Sequence, residues 1–238
     1  MAFPVFKGFP RQTLTFFQNL AQDNSKRWFD AHRREYEDYV LTPARDLVLE
    51  LGERLKKIAP GIVADPRVNQ SLFRLNRDIR FSPDKTPYKT HLALWFWEGS
   101  RPRMECSGFY LHLEPGRLML GSGIYCFPKD LLEIYRQSVI HPKYGKALRE
   151  VVAETTRQPN YTLGGQHYKK TPAGFDSRHP NAEFLLYNGL YAGREMPIRP
   201  ELYTPELIDL CFETFQGMLP LHRWLLALTR RVPLGPGH

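Results

Sequence analysis

Cysteine is scarce in this chain. Three residues, Cys106, Cys126 and Cys211, form an odd set without paired spacing, which excludes a disulfide framework and suits small apolar packers in a reducing compartment. The C-x2-C and H-x3-H spacings of a zinc site are missing, so neither a metal nor a cofactor is expected. There is no apolar run of about 18 residues, the length a membrane span needs. The start, Met1-Ala-Phe-Pro-Val-Phe-Lys-Gly8, lacks a charged region followed by an apolar core. A soluble cytoplasmic protein with no membrane partner is expected. No run of about five like charges occurs, which argues against a basic tail wrapped on nucleic acid. The G-x-S-x-G, H-E-x-x-H and D-x-D-x-D-G motifs are also absent, closing the nucleophile and metal routes that spacing alone reveals.

What is present is basic. Lys and Arg number 33 against 25 Asp and Glu, for a formal charge of +8 and a pI near 9.4. The excess lies mid-chain: nine basic against six acidic residues over 61–120, and nine against five over 121–180. Such a balance favours acidic partners by long-range attraction and says nothing of fold. With 238 residues and 42% hydrophobic content, one compact domain spanning 1–238 has ample core.

The N-terminal third reads as helical. Thr13 is placed to cap a helix with Leu14, Phe16, Phe17 and Leu20 as its apolar positions. Asn24 or Ser25 opens a second, where Trp28, Phe29, His32, Tyr36 and Tyr39 or Val40 recur at helical steps; His32 reads as a hydrogen-bonded core residue. Thr42-Pro43 predicts a capped third helix with a Leu47, Leu51, Leu55, Ile58 stripe ending before Pro60-Gly61.

The middle of the chain changes period. Residues 91–97 are apolar on both faces, which predicts a strand covered on both sides, with Trp95, Phe96 and Trp97 as core packers rather than a base-stacking platform. Phe109–Leu113 and Arg117–Leu120, joined at Glu114-Pro-Gly116, predict a hairpin with Tyr110 and His112 on one face. Gly121-Ser-Gly123 reads as a loop able to approach a phosphate, without the lysine or spacing of a P-loop. Helices follow at 128–139 and 142–155, extended pieces at 161–165 and 167–170, a short helix at 182–187, and C-terminal helices from Thr204-Pro205.

Between the helical third and the strands lies the stretch with the densest chemistry, Arg74 to His91. If residues 72–81 are extended, Arg74, Asn76, Asp78 and Arg80 share one face and Phe73, Leu75, Ile79 and Phe81 the other. Arg77 then points inward and has to be paired, or the strand has to bulge. Ser82-Pro83-Asp84-Lys85 reads as a turn, and Pro87 holds Thr86 extended. Counting this segment as a strand, the fold class is α+β: an antiparallel sheet of at least four strands packed by the N-terminal helices and the C-terminal helices.

The run Arg77-Asp78-Ile79-Arg80-Phe81-Ser82 followed by Asp84-Lys85-Thr86-Pro87-Tyr88-Lys89-Thr90-His91 resembles the signature of the domain of unknown function 2461 family. Trp28-Phe29 with Tyr36, Gly108-Phe-Tyr110, Gly121-Ser-Gly123 and Trp224-Leu225 agree with that resemblance, which covers nearly the whole chain. Pro83 departs from it, standing where a lysine or another polar residue is expected. The family implies a fold boundary and no activity.

Function is read from the residues themselves. Arg77, Arg80, Lys85, Tyr88, Lys89 and His91 are candidate ligands of a phosphate- or carboxylate-bearing partner, small molecule or nucleic acid, with Asp78 and Asp84 orienting them. An enzyme using the same groups, with Asp84 or His91 carrying protons, is the first alternative. A scaffold whose charged loop only stitches the fold is the second.

Overall fold

The structure, a computed structural model, describes residues 5–231. Helices α1 (Gln12–Gln22), α2 (Lys26–Ala31), α3 (Arg33–Tyr36) and α4 (Thr42–Leu55) precede strands β1 (Ile62–Val63), β2 (Leu92–Glu98), β3 (Ser107–Glu114) and β4 (Arg117–Ile124). Then come α5 (Lys129–Ile140), α6 (Pro142–Arg157), β5 (Tyr161–Gln166), β6 (Tyr187–Pro197) and α7 (Leu207–Thr229). The six strands form one antiparallel sheet in the order β1-β2-β3-β4-β6-β5, so the α+β class is established.

The chain divides into two compact units whose boundaries fall within β2, β3, β4, β6 and α7. One holds the residues up to Phe96, Tyr110–Leu120 and Glu195–Thr214; the other holds Trp97–Phe109, Gly121–Arg194 and the residues from Phe215 on.

In the first unit the predicted stripe is buried: Phe16, Phe17, Leu20, Val40, Leu47, Leu51 and Leu55 have 2% exposure or less. Phe16 packs at 5.5 Å from both Trp28 and Tyr36. The helix expected from Ser25 onward is broken instead at His32, which stacks on Trp28 and takes up the Trp28 carbonyl at 2.8 Å through Nδ1. Ser25 is the cap, accepting from the Trp28 amide at 3.2 Å.

Thr13 and Thr42 do not cap their helices. Pro43 has no N–H to return to the carbonyl of Tyr39, and a π-helical turn, Glu37–Leu41, occupies that junction. The fully buried Thr13 hydroxyl donates to the Tyr39 carbonyl at 2.6 Å instead. A hydroxyl from α1 thus supplies the bond that proline withholds.

The expected strand at 74–81 is not a sheet strand. Leu72 bridges Leu94, and the Trp95 amide donates to the Ser71 carbonyl at 2.8 Å, but the chain then leaves β2. It turns back on itself, with Asn76 bridging Tyr88, Arg77 N–H donating to Pro87 and Lys89 N–H to Leu75. Pro83 and Pro87 have no donor for a longer ladder. The two-residue alternation survives: 74, 76, 78 and 80 are exposed while 73, 75, 77 and 79 are covered. Phe81 breaks it at 92% exposure.

In the second unit Leu131, Tyr135, Val139, Leu148, Leu185 and Leu225 form a fully buried cluster. Gly121-Ser-Gly123 is strand rather than loop: a Cβ on Gly123, at φ +142°, would meet the Leu190 carbonyl at 2.3 Å. Strand β6 itself was not foreseen, since Gly189 and Gly193 interrupt its alternation. Gly189 is required there because a Cβ would lie 2.0 Å from the Tyr125 carbonyl. The 167–170 segment forms no strand, and 182–186 is a 3-10 turn.

Replacing Thr13 with Val keeps the shape and takes the hydroxyl bond from the half-buried Tyr39 carbonyl, at a cost of about 1–3 kcal/mol. Thermal unfolding is expected to shift down by about 2–4 °C per kcal/mol; an unchanged midpoint would show that the hydroxyl bond carries no weight.

Candidate functional site

The hairpin arm built from residues 74–91 is held to the helices by one side chain. Asn24, just ahead of α2, donates through Nδ2 to the Tyr88 carbonyl at 2.9 Å and accepts from the Tyr88 amide at 3.0 Å. The two bonds replace a strand partner for Tyr88, whose buried ring also packs 4.6 Å from Phe29. From its position in the sequence Asn24 reads only as a helix cap.

An open cleft of about 350 Å³ lies along this arm within the first unit. Arg77, Asp84, Tyr88, Lys89 and His91 line it, joined by Ala21, Asn24, Thr86 and Thr90. Five of the eight predicted site residues are therefore brought together. Arg80, Lys85 and Asp78 are not among the lining.

Those three are occupied locally. Arg80 grips Asp78 through two parallel bonds, Nε to Oδ1 at 2.9 Å and Nη2 to Oδ2 at 2.7 Å. This fork holds the Asp78 carboxyl down to about 2. Lys85 Nζ donates to the Ile79 carbonyl at 2.8 Å. The pair and the lysine shape the exposed tip on which Phe81 sits.

Arg77 is paired as its inward direction required. Its Nη1 donates to Asp84 Oδ2 and to the hydroxyl and carbonyl of Thr86. Asp84 in turn accepts from the Thr86 amide at 2.9 Å and the Thr86 hydroxyl at 2.8 Å. That side-chain turn replaces the backbone turn expected at 82–85. The Thr86 bonds and the Arg77 contact hold the Asp84 carboxyl down to about 2, so it is ionised near pH 7. Every hydrogen bond of the Arg77 guanidinium among the described residues runs through Nη1, leaving the Nε and Nη2 donors outside that cluster.

Lys89 Nζ donates to the Arg74 carbonyl at 3.0 Å and lies 5.5 Å from the Phe73 ring centre. Burial raises the Tyr88 hydroxyl above its ordinary value, so it stays a protonated donor. Burial, with His112 and Lys89 nearby, lowers His91 to about 4, so it is neutral near pH 7.

Beyond His91 the first unit holds a second group of polar residues. On β3, Tyr110, His112 and Glu114 alternate onto one half-buried face. The His112 ring stacks on His91 with centroids 4.2 Å apart. His112 Nδ1 lies 3.2 Å from the Tyr110 hydroxyl and Nε2 lies 3.0 Å from Glu114 Oε2. Arg117 contacts Glu114 Oε1 and reaches Glu195 Oε2 at 3.0 Å. Burial pushes the Glu114 carboxyl up, and the bonds from His112 and Arg117 outweigh it, leaving a net lowering. The H-x-E pattern at 112–114 was the available signal, because a strand puts both residues on one face.

In the second unit Glu98, His222 and Ser107 form a buried relay, with His222 Nε2 2.9 Å from Glu98 Oε2 and Nδ1 2.9 Å from Ser107 Oγ. The order of groups is that of an activated hydroxyl. Ser107 and His222 are both 0% exposed, so no substrate reaches them and the relay is a core cross-link.

Against protein-family models, the chain matches that of a conserved hypothetical protein, DUF2461, over residues 12–224. No curated protein matches it.

The Asp84 carboxyl lies below its ordinary 3.8, so the order it lends the hairpin is complete above that pH and is lost as pH falls toward about 2. Carbon-detected NMR titration is expected to find Asp84 ionised down to that range. In Arg77→Gln the value rises only part of the way, since the Thr86 bonds are the larger cause. An ordinary Asp84 titration would contradict the side-chain turn.

Proposed function

The chain belongs to the DUF2461 family of conserved hypothetical proteins, and on that premise we propose that the cleft beside His91 binds a small anion bearing a phosphate or carboxylate group. The observation that carries the reading is the lining: Arg77 and Lys89 against the single carboxylate of Asp84, with the Thr86 and Thr90 hydroxyls beside them. Guanidinium, ammonium and hydroxyl donors suit tetrahedral or planar oxyanions. Asp84 uses one edge of Arg77, which fixes the plane of the guanidinium, and a second edge is left for a ligand. Lys89 Nζ stands at the same wall, on the Arg74 carbonyl.

Size decides between ligand classes. A cleft of about 350 Å³ is at the small-molecule end of the range, and Arg80 is engaged with Asp78 rather than extending a basic track. Nucleic acid needs several phosphate contacts in line, so the small anion is preferred. A binding role is likewise preferred over proton transfer, since Asp84 and His91, held down to about 2 and about 4, are weak bases and carry no proton to donate near pH 7.

The test is calorimetric titration of the full chain, freed of metal on a chelating resin, with inorganic phosphate and pyrophosphate at low and high salt. Saturable binding that weakens with salt is expected, and Lys89→Ala or Arg77→Gln should weaken it about tenfold, the worth of one charge-assisted hydrogen bond. Absence of binding at low salt, or binding unaffected by either substitution, would remove the reading.

A further inference from the structure

We propose that His91, His112 and Glu114 form a binding site for one divalent transition-metal ion, of the zinc or ferrous type. The three residues come from two places in the chain. His91 immediately precedes β2, and His112 and Glu114 lie two apart on β3. Their candidate ligand atoms all lie within 4.8 Å of one another, and all three side chains are half-buried.

The spacing suits coordination. Two ligand atoms each about 2.1 Å from an ion, at tetrahedral or octahedral angles, are separated by about 3.0–3.4 Å. His112 Nε2 and Glu114 Oε2 are 3.0 Å apart already. An ion sits between them once the imidazole presents its lone pair in place of a proton, and His91 completes the set by a small ring rotation from its stacked position. Two imidazoles and one carboxylate form the donor set of catalytic zinc and non-haem iron sites, and three protein ligands leave coordination positions open.

The surrounding residues support that assignment independently of the three ligands. With Nε2 on the ion, His112 Nδ1 carries the proton, and the Tyr110 hydroxyl at 3.2 Å is placed to accept it. Such an outer partner fixes the tautomer and the ring plane. Arg117 engages Glu114 through Oε1, which leaves Oε2 for the ion and favours a monodentate carboxylate. Glu195 at 3.0 Å offsets the Arg117 charge, so the group Glu114, Arg117 and Glu195 keeps one net negative charge for a cation. A bare hydrogen bond between His112 and Glu114 would need none of this ordering of the opposite edges of both side chains.

This site is distinct from the anion contacts of Arg77 and Lys89, although His91 borders both. An ion at His91 would place its open positions next to the cleft, where an anionic ligand can complete the coordination shell.

Untagged, EDTA-stripped full chain is to be titrated with Co2+, followed by visible absorption, and with Zn2+, followed by calorimetry, in phosphate-free buffer. One equivalent of each ion is expected, with Co2+ developing the ligand-field bands of nitrogen and oxygen ligation. Glu114→Gln and His112→Ala are each expected to weaken Zn2+ by more than tenfold and to abolish the Co2+ bands, and Tyr110→Phe to weaken Zn2+ about tenfold through loss of the outer partner. The exposed His167→Ala serves as the control for adventitious imidazole binding and should change nothing. Where His112→Ala fails to fold by circular dichroism, the near-isosteric Glu114→Gln and Tyr110→Phe decide. No Co2+ bands in the parent chain, or Zn2+ affinity unaltered in folded Glu114→Gln, would overturn the site. Because the metal titration contains no phosphate and the phosphate titration uses metal-free protein, either proposal can fail alone.

Discussion

A single amide side chain holds the chemistry-bearing segment in place. The backbone of residues 74–91 leaves β2 after Phe73, carries two prolines and makes only isolated bridges, so it cannot hold a position through a sheet ladder. Asn24 satisfies both the N–H and the C=O of Tyr88, and Phe29 covers the Tyr88 ring. Buried backbone groups without partners are costly, and one side chain that meets both at once fixes the register of the arm against the helices. Arg77, Lys89 and His91 inherit their positions from that register. The cleft follows from the same clamp, since Ala21 and Asn24 supply its other wall.

Charge within the arm is arranged in two tiers. At the exposed tip Arg80 and Asp78 neutralise each other, and pairs of that exposure contribute little to stability. Nearer the helices, Asp84 takes one edge of Arg77 and two donors from Thr86, so the carboxylate organises the guanidinium rather than erasing it. The basic count in the sequence therefore overstates the cations facing a ligand. Of the four predicted ligand residues that are cationic at neutral pH, Arg80 and Lys85 are engaged away from the cleft, and Arg77 and Lys89 line it.

Local physics made the fold class legible. The Leu47, Leu51, Leu55 stripe, the two-faced apolar run at 92–97 and the hairpin through Gly116 each carry a period that one secondary structure alone can satisfy. Even the alternation expected over 72–81 holds as far as Arg80, though the segment is not a strand, because extended backbone alternates with or without a ladder; it fails at Phe81, which is exposed and not covered. Strand β6 was hidden because its glycines serve close backbone packing and erase the pattern. The site was partly legible: Arg77, Tyr88, Lys89 and His91 were named from one contiguous run. His112, on the hairpin face with Tyr110, is legible as a candidate member across the sheet; Asn24 and Glu114 act on that run from distant positions, and nothing in a linear spacing rule joins residue 24 to 88 or 91 to 114.

The central claim is that the wall formed by Arg77 and Lys89 receives an anion without dismantling the Asp84 turn. Anomalous diffraction from crystals of the full chain grown with tungstate, a heavy analogue of phosphate, tests it most directly. The account predicts a tungsten peak in the cleft within hydrogen-bonding reach of the Arg77 guanidinium and Lys89 Nζ, with the Arg77 to Asp84 pair intact. Ordered crystals with no peak there, Lys89 still on the Arg74 carbonyl and tungstate bound only at the exposed tip, would contradict it.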